Sequence, residues 1–82
     1  MHLRKFSERL VSVYGLSALC EGMNMESVEG KETFTVDTRK MSEHLKTEEE
    51  ELDRILDIVY VNFKPFIKKR LLRDGSISFT YK

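Results

Sequence analysis

The chain has no tryptophan, one proline, one cysteine and two histidines in 82 residues. Each shortage excludes something. A lone Cys20 cannot close an intrachain disulfide, so a reducing, cytoplasmic setting is expected and Cys20 reads as a small buried hydrophobe. His2 and His44 have no metal-ligand spacing to a partner, and adjacent Glu43 and His44 would point about 100° apart on a helix. There is neither a glycine-rich phosphate loop nor a serine nucleophile elbow. An enzyme needs a nucleophile, base or metal set that can converge, and none is in view, so no catalysis, cofactor or metal is expected.

Long apolar runs are also missing. Nothing approaches the roughly eighteen apolar residues of a membrane span, and the first residues carry charge every few positions where a signal peptide needs an apolar core. No membrane partner is expected. Net charge of one sign is absent too, because fourteen Lys and Arg balance fourteen Asp and Glu. That balance removes bulk attraction to nucleic acid or acidic lipid and leaves only local patches.

What remains is 40% apolar and 34% charged, with five Phe and three Tyr to anchor a core. This composition fits one small globular domain over residues 1–82, near the lower size limit for folding without staples. Leu3, Phe6, Leu10, Val13 and Tyr14 recur at spacings of three and four, which predicts an amphipathic helix over 2–14 with Arg4, Lys5, Glu8 and Arg9 outward. Gly15 interrupts it, and Ser17 can cap a short extra turn that Gly22 ends. Residues 23–37 change to a period of two. Phe34 and Val36 alternate with Thr33, Thr35 and Asp37, a strand over 32–37, and Glu29-Gly30-Lys31 reads as a hairpin tip. Met23 and Met25 also alternate, although Met-Asn-Met-Glu-Ser suits a loop equally well. Met41 and Leu45 suggest a short helix within 38–46.

The longest pattern runs from Thr47 to Gly75. Thr47 can cap a first turn of Glu48, Glu49, Glu50 and Glu51, while Lys68, Lys69, Arg70 and Arg73 lie at the other end, the polarity that a helix dipole favours. Leu52, Ile55, Leu56, Val59, Phe63, Phe66, Ile67 and Leu71 keep one stripe. Because the stripe stays in phase across Pro65, the expectation is one kinked helix, with a break at Val61–Lys64 as the alternative. After Asp74-Gly75, Ile77, Phe79 and Tyr81 alternate with Ser76, Ser78, Thr80 and Lys82, a terminal strand with one buried face. The predicted architecture is α+β: an N-terminal helix, a small two- or three-stranded sheet, a long Pro-kinked helix packed on one face, and a C-terminal strand. Strand 32–37 is the expected partner of the terminal strand, their direction is open, and no internal repeat is read.

Two candidate surfaces follow. Lys64, Lys68, Lys69, Arg70 and Arg73 form a basic cluster without an acid between them, suited to nucleic acid or another anion. Phe63 and Phe66 belong to the core stripe, and Tyr60 is the freer aromatic for base stacking. A helix-turn-helix built on 38–45 and 48 onward is rejected, because its recognition helix would present glutamates to phosphate. The second surface is apolar. Ile58, Val61, Leu72 and Tyr81, with Leu16 and Leu19, exceed what one small sheet and helix need to bury, and the terminal strand is read as an edge open to pairing. The leading expectation is a non-enzymatic interaction or regulatory module, homodimeric or bound to a protein partner through the second helix or the edge strand. The alternative is a small nucleic-acid-binding protein using the basic cluster at 64–73.

Overall fold

A computed structural model describes residues 2–15 and 22–82, with Val28 described for its backbone alone. The expected turn at Ser17–Cys20, and Leu16 and Leu19, lie outside the described residues. The elements are α1 (His2–Tyr14), β1 (Met23–Val28), β2 (Lys31–Val36), α2 (Thr38–Leu45), α3 (Glu49–Tyr60), β3 (Ile67–Leu71) and β4 (Ile77–Tyr81). The four strands form one antiparallel sheet in the order β1-β2-β4-β3. The α+β class holds, with a larger sheet than expected.

The local reasons are legible residue by residue. In α1, Leu3, Phe6, Leu10 and Tyr14 are buried on one stripe. Glu29 and Gly30 both take positive φ, at 53° and 79°, which gives the two-residue β1–β2 turn a twist compatible with its strands. The Asp37 side chain caps α2 by accepting a hydrogen bond from Lys40 N at 3.1 Å. Thr47 does not cap α3. Glu48 holds that position without a side-chain bond, and the Thr47 hydroxyl donates back to Leu45 O at 3.3 Å.

The largest correction concerns the long helix. α3 stops at Tyr60, and consecutive turns over 61–66 lead directly into β3. Phe63 N donates to Tyr60 O at 2.8 Å, and Phe66 N and Ile67 N both donate to Phe63 O, a path that asks no hydrogen bond of Pro65. Pro65 therefore lies in a break over 61–66, which contains the alternative break at Val61–Lys64, and there is no kinked helix. The stripe misled because a spacing of four satisfies both periods: Phe63, Ile67 and Leu71 would share a side on a helix, and Ile67 and Leu71 also share one on a strand. Leu71, on the outermost strand, is nonetheless 72% exposed, whereas Ile67 is buried.

A second correction concerns the terminal strand. β4 pairs with β2 on one side and β3 on the other, so it is an interior strand and the outer strands are β1 and β3. The expected partnership with 32–37 holds, and its direction is antiparallel.

The sheet also reveals an internal repeat that was not read from the sequence. Order and directions are unchanged by a half-turn about an axis normal to the sheet between β2 and β4. Each hairpin follows a helix. Glu29-Gly30-Lys31-Glu32-Thr33-Phe34-Thr35 aligns with Asp74-Gly75-Ser76-Ile77-Ser78-Phe79-Thr80, and Phe34 pairs with Phe79 across the axis. The echo is short and its second loop is one residue longer. Leu72 O accepts from Gly75 N and Leu72 N donates to Ser76 O, with Gly75 at φ 91°.

The described helices all pack on one face. The core joins Leu3, Phe6, Leu10 and Tyr14 to Met41, to Leu52, Leu56 and Val59, and to the inward strand residues Met23, Phe34, Val36, Ile67, Ile77 and Phe79. Gly22 is fixed by this packing, since a Cβ there would meet Met41 Cγ at 2.1 Å and Asp37 O at 2.7 Å. Tyr14 ties the helices together by donating its hydroxyl to Leu52 O at 2.6 Å. Burial, reinforced by the charges of Asp53 and Asp57, pushes the Tyr14 phenol above its ordinary pKa. A group raised on folding supports the fold fully below its unfolded pKa of about 10 and loses that support as pH rises through the folded value. Tyr14→Phe is therefore expected to cost about 1 kcal/mol near neutral pH. Above about pH 10 it should also lose stability less steeply than the parent, as read by urea unfolding across a pH series.

Candidate functional site

Strand alternation divides the residues of the sheet between two faces, and only one carries the helices. Asn24, Glu26, Lys31, Thr33, Thr35, Ser78, Thr80, Lys82, Lys68 and Arg70 point to the other by their register. Among the described residues no helix packs on this face. It is lined as a shallow cavity of about 950 Å³, with Thr33, Thr35, Ser78 and Thr80 at its centre.

The register arranges this face in rows. Asn24, Thr35, Ser78 and Arg70 stand level across the four strands, and Glu26, Thr33, Thr80 and Lys68 form the next row. Four small hydroxyl side chains thus occupy the two interior strands. The outer strands carry opposite character, with Asn24 and Glu26 on β1 and Lys68 and Arg70 on β3. Thr33 and Ser78 are only 9% and 8% exposed, so the centre is recessed between longer flanking side chains. The Thr35 hydroxyl donates to Asn24 O at 3.3 Å.

The basic cluster read from the sequence is split by the same alternation. Lys68 and Arg70 face the open side of the sheet. Lys69 faces the helices, where its Nζ lies 2.7 Å from Asp57 Oδ1 and 6.0 Å from the Tyr60 ring centroid. Lys64 is exposed in the turn after α3, and Arg73 is exposed in the β3–β4 loop. The neighbouring Asp74 carboxyl is held below the usual carboxylate range by hydrogen bonds from the Ser76 hydroxyl and then from Ser76 N. Lys31 and Lys82 reach the open face too. The sequence reading missed them because each stands apart from the basic run, although their parity with Thr33 and Thr80 was available.

The aromatic expectations are partly reversed. Phe63 is half-buried against the core, as its stripe implied. Phe66 is 46% exposed and stacks on His2, with ring centroids 3.9 Å apart and planes 4° from parallel. Tyr60 is not free: its hydroxyl donates to Ile67 O at 2.8 Å and its ring lies within the aromatic core. Of the expected interface residues, Ile58 and Val61 are exposed one turn apart at the end of α3. Leu72 is half-buried beside the β3–β4 loop. Tyr81 lies at the end of β4, where its hydroxyl accepts from Leu3 N at 3.3 Å. The four do not share one element or one face.

Among the described residues, no three His, Cys, Asp or Glu side chains gather as a metal site would require. No helix among them is long and apolar enough to cross a membrane. Comparison with protein-family models, with curated proteins and with solved structures finds no match in any of the three.

The division of the basic run has a direct energetic consequence. The Lys69–Asp57 pair is partly solvated, with Asp57 62% exposed, so it falls within the range of less than about 1 kcal/mol that surface pairs supply. Lys69→Met is expected to lower stability by at most that amount, whereas Lys68→Met and Arg70→Met should stay within about 0.5 kcal/mol of the parent in urea unfolding.

Proposed function

We propose that the chain is a non-enzymatic interaction module that associates with itself through the open face of its sheet. The observation that carries this reading is the hydroxyl-lined surface that no described helix covers, with Glu26 at one edge and Lys68 and Arg70 at the other. Small side chains on the interior strands allow another surface to come close, and charges at the margins set orientation more than they add affinity. The other surfaces serve less well. Ile58 and Val61 form an apolar pair too small to anchor a partner alone. The outer strand β3 carries Lys68, Lys69 and Arg70, the charged side chains that protect an edge from pairing.

Sedimentation equilibrium from about 10 μM to about 1 mM tests the reading, a span that covers roughly 4–7 kcal/mol of association energy. The expected outcome is a mass that rises toward twice 9.7 kDa with concentration. A mass that stays at the monomer value across the range would remove it.

A second reading is contact with nucleic acid, favoured by one observation: Lys68 and Arg70 share the open face with Lys31 and Lys82. Glu26 on the same face and the net charge of zero weigh against it. Fluorescence anisotropy of labelled single- and double-stranded oligonucleotides across a salt series separates the two readings. Phosphate contacts weaken steeply with salt, so a flat response at low salt is the outcome expected here.

A further inference from the structure

We infer that the open face holds a small molecule carrying phosphate groups, bound by an arc of four cations around the hydroxyls of the interior strands. Every group involved belongs to one chain, so the inference goes beyond the self-association reading and does not rest on it. The arc follows from the register. Arg70 and Lys68 stand along β3, level with Ser78 and Thr80. The pairing that sets Thr33 opposite Thr80 continues two residues further to Lys31 and Lys82. Lys82 N donates to Phe66 O at 3.2 Å, which carries the β3–β4 ladder to that row. Arg70, Lys68, Lys82 and Lys31 therefore succeed one another around the cavity, with neighbouring Cα atoms about 5–8 Å apart.

Two features set this charge apart from an ordinary solvated surface. Lys31 and Lys82 face each other across adjacent strands, an arrangement of like charges that costs stability, and Val28 in the same row brings no acid. Among the described residues none of the four cations has a carboxylate within ion-pair distance, the pairs formed being Arg54–Glu51 and Lys69–Asp57. Glu26 shares the face but stands on β1, beyond Thr33 from the lysine and arginine of β3. Glu32 also borders the cavity and belongs by alternation to the helix side. Four cations against one acid leave three positive charges uncompensated.

The centre supplies the other half of an oxyanion site. Thr33 and Ser78 line the cavity although they are only 9% and 8% exposed. Of the four central hydroxyls, that of Thr35 bonds to Asn24 O, and those of Thr33, Ser78 and Thr80 have no partner among the described residues. Three hydroxyls can thus donate to an anion held by the arc. A phosphate monoester offers three acceptor oxygens and about −1.5 to −2 charge, so a ligand with two phosphate groups matches the surplus. The footprint also suits a small molecule. Four strands of five residues span about 19 Å by about 17 Å, well below a standard protein interface, and a cavity of about 950 Å³ lies in the range of small-molecule sites. A nucleic-acid strand is served less well. The arc turns from along β3 to across the strands, a strand crossing the face meets Glu26, and the centre holds no aromatic ring for base stacking.

Titration of the isotope-labelled chain with pyrophosphate, followed by amide chemical shifts, tests the site. The expected Kd is on the order of 100 μM at low salt, with the largest shifts at Thr33, Ser78 and Thr80. Lys31→Gln/Lys82→Gln and Lys68→Gln/Arg70→Gln are each expected to weaken binding about tenfold or more, and Glu26→Gln to tighten it about twofold. Thr33→Val/Thr80→Val keeps every charge and is expected to weaken binding about tenfold through the lost donors. Arg39→Gln, exposed on α2 in the helix layer, is the control expected to change nothing. Circular dichroism identifies any variant that has unfolded, and the single substitutions Lys82→Gln, Arg70→Gln and Thr80→Val then take its place. No shift at about 10 mM pyrophosphate, roughly a hundred times the expected Kd, would overturn the inference. Binding that follows the charges and ignores the hydroxyls would reveal diffuse attraction and overturn it as well. An oligonucleotide or a phosphoserine peptide that binds the same groups more tightly than pyrophosphate would give the face to a macromolecule and overturn the small-molecule occupant.

Discussion

The fold depends on the burial of Phe6. Its ring lies 4.7 Å from that of Phe79, 5.3 Å from Phe63, 5.9 Å from Phe34 and 6.1 Å from Tyr60 by centroid. Those four residues come from β4, from the turn after α3, from β2 and from α3, so one side chain of α1 touches both halves of the molecule. Each aromatic pair adds roughly 0.5–1.5 kcal/mol beyond area burial. A chain of this length has only about 4–12 kcal/mol of net stability, against which truncating a central Phe costs about 3–5 kcal/mol. With no disulfide possible from a single cysteine, this cluster takes the part that staples play in other small domains.

Packing the described helices around that cluster leaves the far side of the sheet without a helix among the described residues. An antiparallel sheet tolerates this when its outward residues are polar, and Thr33, Thr35, Ser78 and Thr80 meet that condition. The aromatic core and the hydroxyl grid are two faces of the same strands: Phe34 is buried because it stands between Thr33 and Thr35, and Phe79 because it stands between Ser78 and Thr80. A one-residue slip in either strand would exchange them. The surface proposed to bind is thus set by the same alternation that fills the core.

That alternation was legible in β2 and β4, where a strict period of two left no rival, and in α1, where spacings of three and four left none either. It was not legible in β3. Ile67 and Leu71 satisfy both periods, and no residue between them breaks the tie, because Lys68, Lys69 and Arg70 are acceptable outside a helix and on an edge strand alike. Pro65 was the contrary signal, and it outweighs the stripe because a helix there would have lost a hydrogen bond and clashed near the Val61 carbonyl. The repeat escaped notice for a related reason. Its signature is a turn glycine followed by a hydroxyl-Phe-Thr triplet, too short to stand out until the sheet order set the two triplets side by side.

Reading β3 as a strand changes the meaning of the basic run more than its location. On a helix, Lys68, Lys69 and Arg70 would fan out around the axis and complement its dipole. On the strand, Lys69 turns back to Asp57 and becomes part of the fold, while Lys68 and Arg70 become one margin of an open face whose other margin holds Glu26. The net charge of zero therefore conceals a local dipole across the sheet. By register Lys31 and Lys82 stand on the same face, so it carries four cations to the one acid Glu26.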